Sequence, residues 1–87
     1  MDVIRSAVIR FSEERFPPHD PLHGTPHEMV RRTIEVELPD GTSRWEQSDY
    51  GHPGRFGDWE PRGVDARLQA KTPQLKAAAT AIGDLLG

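Results

Sequence analysis

The chain has no cysteine. Disulfide scaffolds, thiolate nucleophiles and cysteine-built zinc or iron–sulfur sites are therefore excluded. Large apolar residues are scarce. Val, Ile, Leu and Phe make up 18 of the 87 residues, close to the roughly 20% below which chains tend to stay disordered. No apolar run approaches the ~20 residues of a membrane helix. The N-terminal MDVIRSAVIRF carries charges through its apolar stretch and has no signal-peptide pattern. Positive charge is not concentrated anywhere: 11 Lys and Arg against 14 Asp and Glu give a formal charge of -3. No block of one sign marks a nucleic-acid arm or an acidic tail. These absences lead to the expectation of a soluble, cytoplasmic single domain spanning residues 1–87 that does not engage a membrane. Phosphate-backbone binding, which depends on clustered Lys and Arg, is disfavoured. So small a chain buries only about 60–65% of its unfolded surface, and a homodimer, a metal or a partner is a natural supplement to its thin core. Nine arginines against two lysines, with frequent Ala, Gly and Pro, point to a GC-rich bacterial or phage coding sequence.

Periodicity divides what is present into five elements. Ile4, Ala7, Val8 and Phe11 follow the i, i+3, i+4, i+7 spacing of one helical face. This predicts a helix over 2–16, capped by Asp2 and stopped by Pro17-Pro18. A strand is its rival, because β-branched residues are frequent there. Residues 29–38 (MVRRTIEVEL) alternate as a half-buried strand. Asp40-Gly41 reads as a type I′ turn, leading into a second strand over 42–48. That turn sets Val36 opposite Trp45, Glu37 opposite Arg44 and Arg32 opposite Asp49, with Glu35 against Glu46 as the one unfavourable pair. Val64, Ala66, Leu68 and Ala70 alternate and predict a third strand over 64–70. Thr72 as N-cap and Pro73 at the first helical position open a helix over 73–86. Its apolar stripe is Leu75, Ala78, Ala79, Ile82, Leu85 and Leu86, and Gly83 weakens its last turn by about 1 kcal/mol relative to Ala. The expected fold is α+β in the order α-β-β-β-α, an antiparallel sheet covered on one face by helices. Long loops over 17–28 and 49–63 complete it.

Those two loops hold all four histidines, and loops on a rigid scaffold are where binding residues usually sit. If strand pairing continued past the hairpin, His52 would fall opposite Met29 and His27 opposite Gly54. His27 and His52, with His23 or His19 and with Glu28, would then gather at one sheet end. Imidazole and carboxylate suit a zinc-like divalent ion. The His-x3-His-x3-His spacing of His19, His23 and His27 carries no geometric weight, because Pro21, Gly24 and Pro26 forbid the helix that would stack the rings. Solvated loop histidines and no cofactor are the simpler expectation. Thr25-Pro26-His27-Glu28 also matches a capping box, which would make Glu28 a capping residue rather than a ligand.

The second loop interleaves Tyr50, Arg55, Phe56, Trp59 and Arg62. Trp, Tyr and Arg are the favoured anchors of protein interfaces. Aromatics alternating with Arg can also clamp single-stranded nucleic acid, but from Arg44 to Arg62 the acids Glu46, Asp49, Asp58 and Glu60 offset the arginines. Alternatively, Trp45 is core, and Phe56 and Trp59 fold the loop back over the sheet. No nucleophile–base pair, phosphate-binding glycine loop or acid–base carboxylate pair stands out, so the leaning is away from an enzyme. The leading expectation is a non-enzymatic, regulatory protein-interaction module, homodimeric, docking an unidentified protein partner through Tyr50, Arg55, Phe56, Trp59 and Arg62. A metal protein built on His23, His27 and His52 comes second, and a single-stranded nucleic-acid binder third.

Overall fold

A computed structural model describes residues 3, 5–22, 24 and 26–87. Four strands follow one another, β1 (Val8–Phe16), β2 (Met29–Leu38), β3 (Gly41–Ser48) and β4 (Glu60–Val64), as an antiparallel meander in spatial order β1-β2-β3-β4. A 3-10 helix (Ala66–Lys71) runs directly into α1 (Thr72–Leu86). The domain is α+β, but its order opens with a strand, and one C-terminal helical segment supplies the cover that two helices were expected to give. Among the described residues no helix is long and apolar enough to cross a membrane.

Over residues 8–16 the expected helix is corrected to strand β1, and the reason lies in β2; residues 3 and 5–7 are in neither helix nor strand, and the Asp2 cap and Ile4 lie outside the described residues. Every β1 charge from Arg10 to Glu14 meets an opposite charge across the ladder: Arg10 faces Glu35, Glu13 faces Arg32 and Glu14 faces Arg31. The ion pairs close at 3.0, 3.0 and 3.1 Å respectively. Phe11 sits opposite Ile34 in the same ladder. Cross-strand pairs stabilise by some tenths up to about 1 kcal/mol each, and β-branched Val8 and Ile9 suit a pleated strand. Together they outweigh a four-residue helical stripe.

The β2–β3 hairpin forms with its register displaced by two residues from the expected one. Ile34 rather than Val36 lies opposite Trp45, Glu35 rather than Glu37 opposite Arg44, and Arg32 opposite Gln47 rather than Asp49. The loop residues are Pro39 and Asp40, with Leu38 opposite Gly41. A type I′ turn would need positive φ at Asp40, and Asp40 does not adopt it. Pro39, whose ring presets φ, leads the turn, and Gly41 at φ 146° closes it. A two-residue shift keeps every side chain on its face. It also replaces the Glu35–Glu46 clash with Glu35–Arg44 and Thr33–Glu46.

The expected strand over 64–70 ends at Val64. β3 begins at Gly41, so a strand continuing past Ala66 would run beyond its partner. The chain turns there instead. Asp65 Oδ2 accepts from the Thr42 amide at 2.6 Å, and the Asp65 amide donates to the Thr42 carbonyl at 3.1 Å. The 3-10 helix then carries Leu68 fully into the core, while Ala66 and Ala70 face solvent. Thr72 is not an N-cap. Its hydroxyl donates back to the Gln69 carbonyl at 2.8 Å, and α1 continues from the 3-10 helix with Pro73 in its first turn.

The core lies between one sheet face and α1. It comprises Ile34, Val36, Trp45, Trp59, Leu68, Leu75 and Ala79, flanked by Phe11, Leu38, Val64 and Ile82. Of the expected helical stripe, Leu85 and Leu86 point away from it, 82% and 55% exposed. Gly83 takes their place. A Cβ built there would lie 2.6 Å from Trp59 Cζ2 and 3.0 Å from Nε1, so the indole seats against bare helix backbone. Gly83→Ala therefore gains about 1 kcal/mol of helix propensity but overpacks the core at a cost of about 1–3 kcal/mol. We expect net destabilisation of about 1 kcal/mol, read from the urea midpoint. A stabilised Gly83→Ala protein would contradict the packing.

Candidate functional site

The meander has a covered face, against α1, and an open face. On the open face the ladders place Arg10, Glu35 and Arg44 in one row, and Ser12, Thr33, Glu46 and Glu60 in the next. A bulge between Arg44 and Trp45 leaves Arg62 outside the pairing. Its guanidinium reaches Glu46 and Glu60. Arg31 bridges Glu14 at 3.1 Å and Glu46 at 3.4 Å, so Glu46 lies between two guanidiniums. A shallow depression of about 280 Å³ opens beside this network. Met29, Arg31, Glu46, Tyr50, Asp58 and Arg62 are among its lining residues.

The depression is walled by the loop between β3 and β4, and Asp49 anchors the first part of that loop. Asp49 is 4% exposed. Its carboxylate accepts from the Val30 amide at 2.8 Å and the Gly54 amide at 3.2 Å. Its own amide donates to the Val30 carbonyl at 3.2 Å, and its carbonyl accepts from His52 N at 3.0 Å. Gly54, at φ 71°, supplies the left-handed backbone that aims its amide inward. Further along, the Gly57 amide donates to the Ser48 carbonyl and Gln47 Nε2 donates to the Gly57 carbonyl. Lys76 of α1 contacts Asp58 at 2.7 Å and, by that hydrogen bond and then by its charge, holds the Asp58 carboxyl below the usual carboxylate range. The Asp58 group is fully exposed, so the contact orients the loop more than it stabilises it.

The five aromatic and arginine residues singled out in the sequence do not form one patch. Trp59 is 3% exposed and belongs to the core. Phe56 is half-buried beneath Arg32, whose guanidinium carbon lies 3.8 Å from the ring centroid. Only Tyr50, 59% exposed, Arg55 at the loop surface, and Arg62 remain presented to solvent. The loop thus splits its aromatics: Phe56 and Trp59 fold it back, as the alternative reading has it, and Tyr50 is displayed. Asp49, Met29 and Arg31 were missed as site residues. Arg31 and Glu46 could have been placed together from strand alternation, whereas the buried role of Asp49 leaves no local signature.

The ladder expected to set His52 opposite Met29 and His27 opposite Gly54 does not form, because β3 ends at Ser48 and the chain turns at Asp49. His27 is half-buried and donates from Nδ1 to the Glu28 carbonyl at 2.6 Å. His19 and His52 are exposed. Glu28 pairs with Arg15 at 2.8 Å, and residues 26–28 are not helical. The proposed third ligand His23, and Thr25 of the capping box, lie outside the described residues. Among the described residues no group of three His, Cys, Asp or Glu is placed to hold a metal ion.

The class defined by this architecture is a four-stranded antiparallel meander with one helical layer and an open, charge-paired face. Comparison with protein-family models, with curated proteins and with solved structures returns no match in any of the three.

Proposed function

We propose that the chain is a small non-enzymatic protein-interaction module of regulatory role, and that it binds a partner protein through Tyr50, Arg55 and the depression edged by Arg62. The observation that carries this reading is the combination at the β3–β4 loop: an exposed tyrosine displayed on a loop that a buried carboxylate holds in one shape. A preordered loop loses little conformational freedom on binding. Tyrosine and arginine supply apolar contact area together with hydrogen bonds. The neighbouring charges of Arg31, Glu46, Glu60 and Arg62 are mutually paired, which suits the polar rim of an interface and leaves little net positive charge for a phosphate backbone.

The test is affinity capture from cell extract with the intact chain, compared with the Tyr50→Ala/Arg55→Ala double variant and with Leu22→Ala, a change at an exposed residue in the other loop. A partner bound by the wild type should be lost at least ~10-fold by the double variant, with the unfolding midpoint unchanged, and kept by Leu22→Ala. Equal capture by all three proteins overturns the proposal.

A further inference from the structure

The sheet has two edges, and they are built differently. β4 has five residues, includes Pro61 and Gly63, and pairs with β3 across a bulge. Short length, proline and a bulge are the usual ways of closing an edge to further strands. β1 is nine residues long, VIRFSEERF, with no proline or glycine. Its ladder to β2 is regular from Val8 to Phe16, and among the described residues no strand pairs with its other side. Two β-branched residues lie exposed on it, Val8 at 47% and Ile9 at 44%.

We propose that β1 is a self-association edge, on which the β1 strand of a second copy of this chain adds antiparallel about a two-fold axis through Ser12, giving a continuous eight-stranded sheet. The charge pattern of the strand selects the occupant and the register. A two-fold axis perpendicular to the sheet keeps each copy's open face on the same side, so paired residues must share a face. Centring on Ser12 sets Arg10 opposite Glu14 twice, Val8 opposite Phe16 twice, and Ser12 opposite Ser12, all on the open face. On the covered face the aliphatic stem of Arg15 lies along Ile9, and Glu13 faces Phe11. The neighbouring registers are worse. Centring on Arg10 or Glu13 sets like charges directly opposite each other, and centring on Phe11 sets Val8 and Ile9 against glutamates. Arg10 and Glu14 already bind Glu35 and Arg31 within their own chain, yet their side chains remain 57% and 52% exposed. The dimer would extend these pairs into a charge network across both sheets. This surface is independent of the Tyr50 loop, so either proposal can fail without the other.

The experiment is sedimentation of the full chain over micromolar to millimolar concentration, with two sets of variants. The 9.8 kDa chain should sediment at twice its mass. Arg10→Glu and Glu14→Arg should each weaken the dimer roughly tenfold. An equimolar mixture of the two should restore it, because one chain then carries acids at both positions and the other carries guanidiniums. The cysteine-free background allows a second measurement that does not depend on tolerance of charge reversal. Residues directly opposite in an antiparallel pair have Cα atoms about 4.5–5.5 Å apart, within disulfide reach. Ser12→Cys should therefore cross-link under mild oxidation. Glu14→Cys should not, since four ladder steps put its two copies about 13 Å apart. A wild-type monomer at millimolar concentration overturns the proposal. So does a dimer that ignores both charge variants and cross-links no better through Ser12→Cys than through Glu14→Cys.

Discussion

Trp59→Ala is expected to cost about 3–5 kcal/mol, the range for removing a buried tryptophan. A domain of this length has a total stability of only roughly 4–13 kcal/mol, so the variant should be marginally folded or unfolded at room temperature. The argument rests on position. Trp59 immediately precedes β4, is 3% exposed, and packs in the cluster that joins Ile34 and Trp45 of the sheet to Leu75 and Ala79 of α1. Removing it takes away the indole that Gly83 accommodates. Urea unfolding followed by circular dichroism checks the magnitude. A variant with an unchanged midpoint would return Trp59 to the role of an exposed partner anchor. Coupling gives a sharper check that survives partial unfolding. In a Trp59→Phe background the indole atoms nearest the built Cβ are gone, so Gly83→Ala should become neutral or stabilising. Contacting residues show such non-additivity and distant ones do not.

The elements legible in the chain were those whose evidence is local. Strand alternation over 29–38 and the Leu75–Ala79–Ile82 stripe after Pro73 each determine their element within one window, and β2 and α1 stand where expected, although Thr72 does not cap α1. What was not legible depends on what lies across the fold. β1 reads as a short helical stripe until β2 is laid beside it, when Arg10, Glu13 and Glu14 each meet an opposite charge. Val64–Ala70 alternates like a strand, but beyond the Val64–Ser43 pair β3 has only Thr42 and Gly41 left, so of the alternating residues only Val64 and Leu68 meet the core. The hairpin register turns on one residue: Pro39, and not the Asp40-Gly41 pair, leads the turn. At the site, Tyr50, Arg55 and Arg62 were readable as exposed loop residues. Trp59 and Phe56 were not separable from them, because aromatic residues in a loop look alike until a glycine on α1 or an arginine on β2 comes to meet them.

The same distinction makes Asp49 the second-largest expected effect. In the sequence it is one acid among four in a span that also holds three arginines, Arg44, Arg55 and Arg62. In the fold it is a buried carboxylate that binds two amides from different segments, Val30 at the start of β2 and Gly54 within the loop. Hydrogen bonds to a charged group contribute about 1.5–3 kcal/mol, and an orphaned buried amide costs about 1–3 kcal/mol. Since Val30 is only 8% exposed, its amide has little access to replacement water. Asp49→Ala should therefore destabilise the domain by about 2–4 kcal/mol. Asp49→Asn, which keeps one acceptor oxygen but turns an N–H group toward the second amide, should lose about half of that. The loss should also be local in character. Amide exchange at Val30 and Gly54 should accelerate well before exchange in the centre of β2, because the loop opens at lower free energy than the core. If the Tyr50 surface binds its partner as a preformed shape, Asp49→Asn should weaken binding although no contact residue has changed, and this should show in a faster dissociation rate. An Asp49→Asn protein with unchanged loop exchange and unchanged binding would mean that the carboxylate does not hold the loop, and the preordered display of Tyr50 would lose its basis.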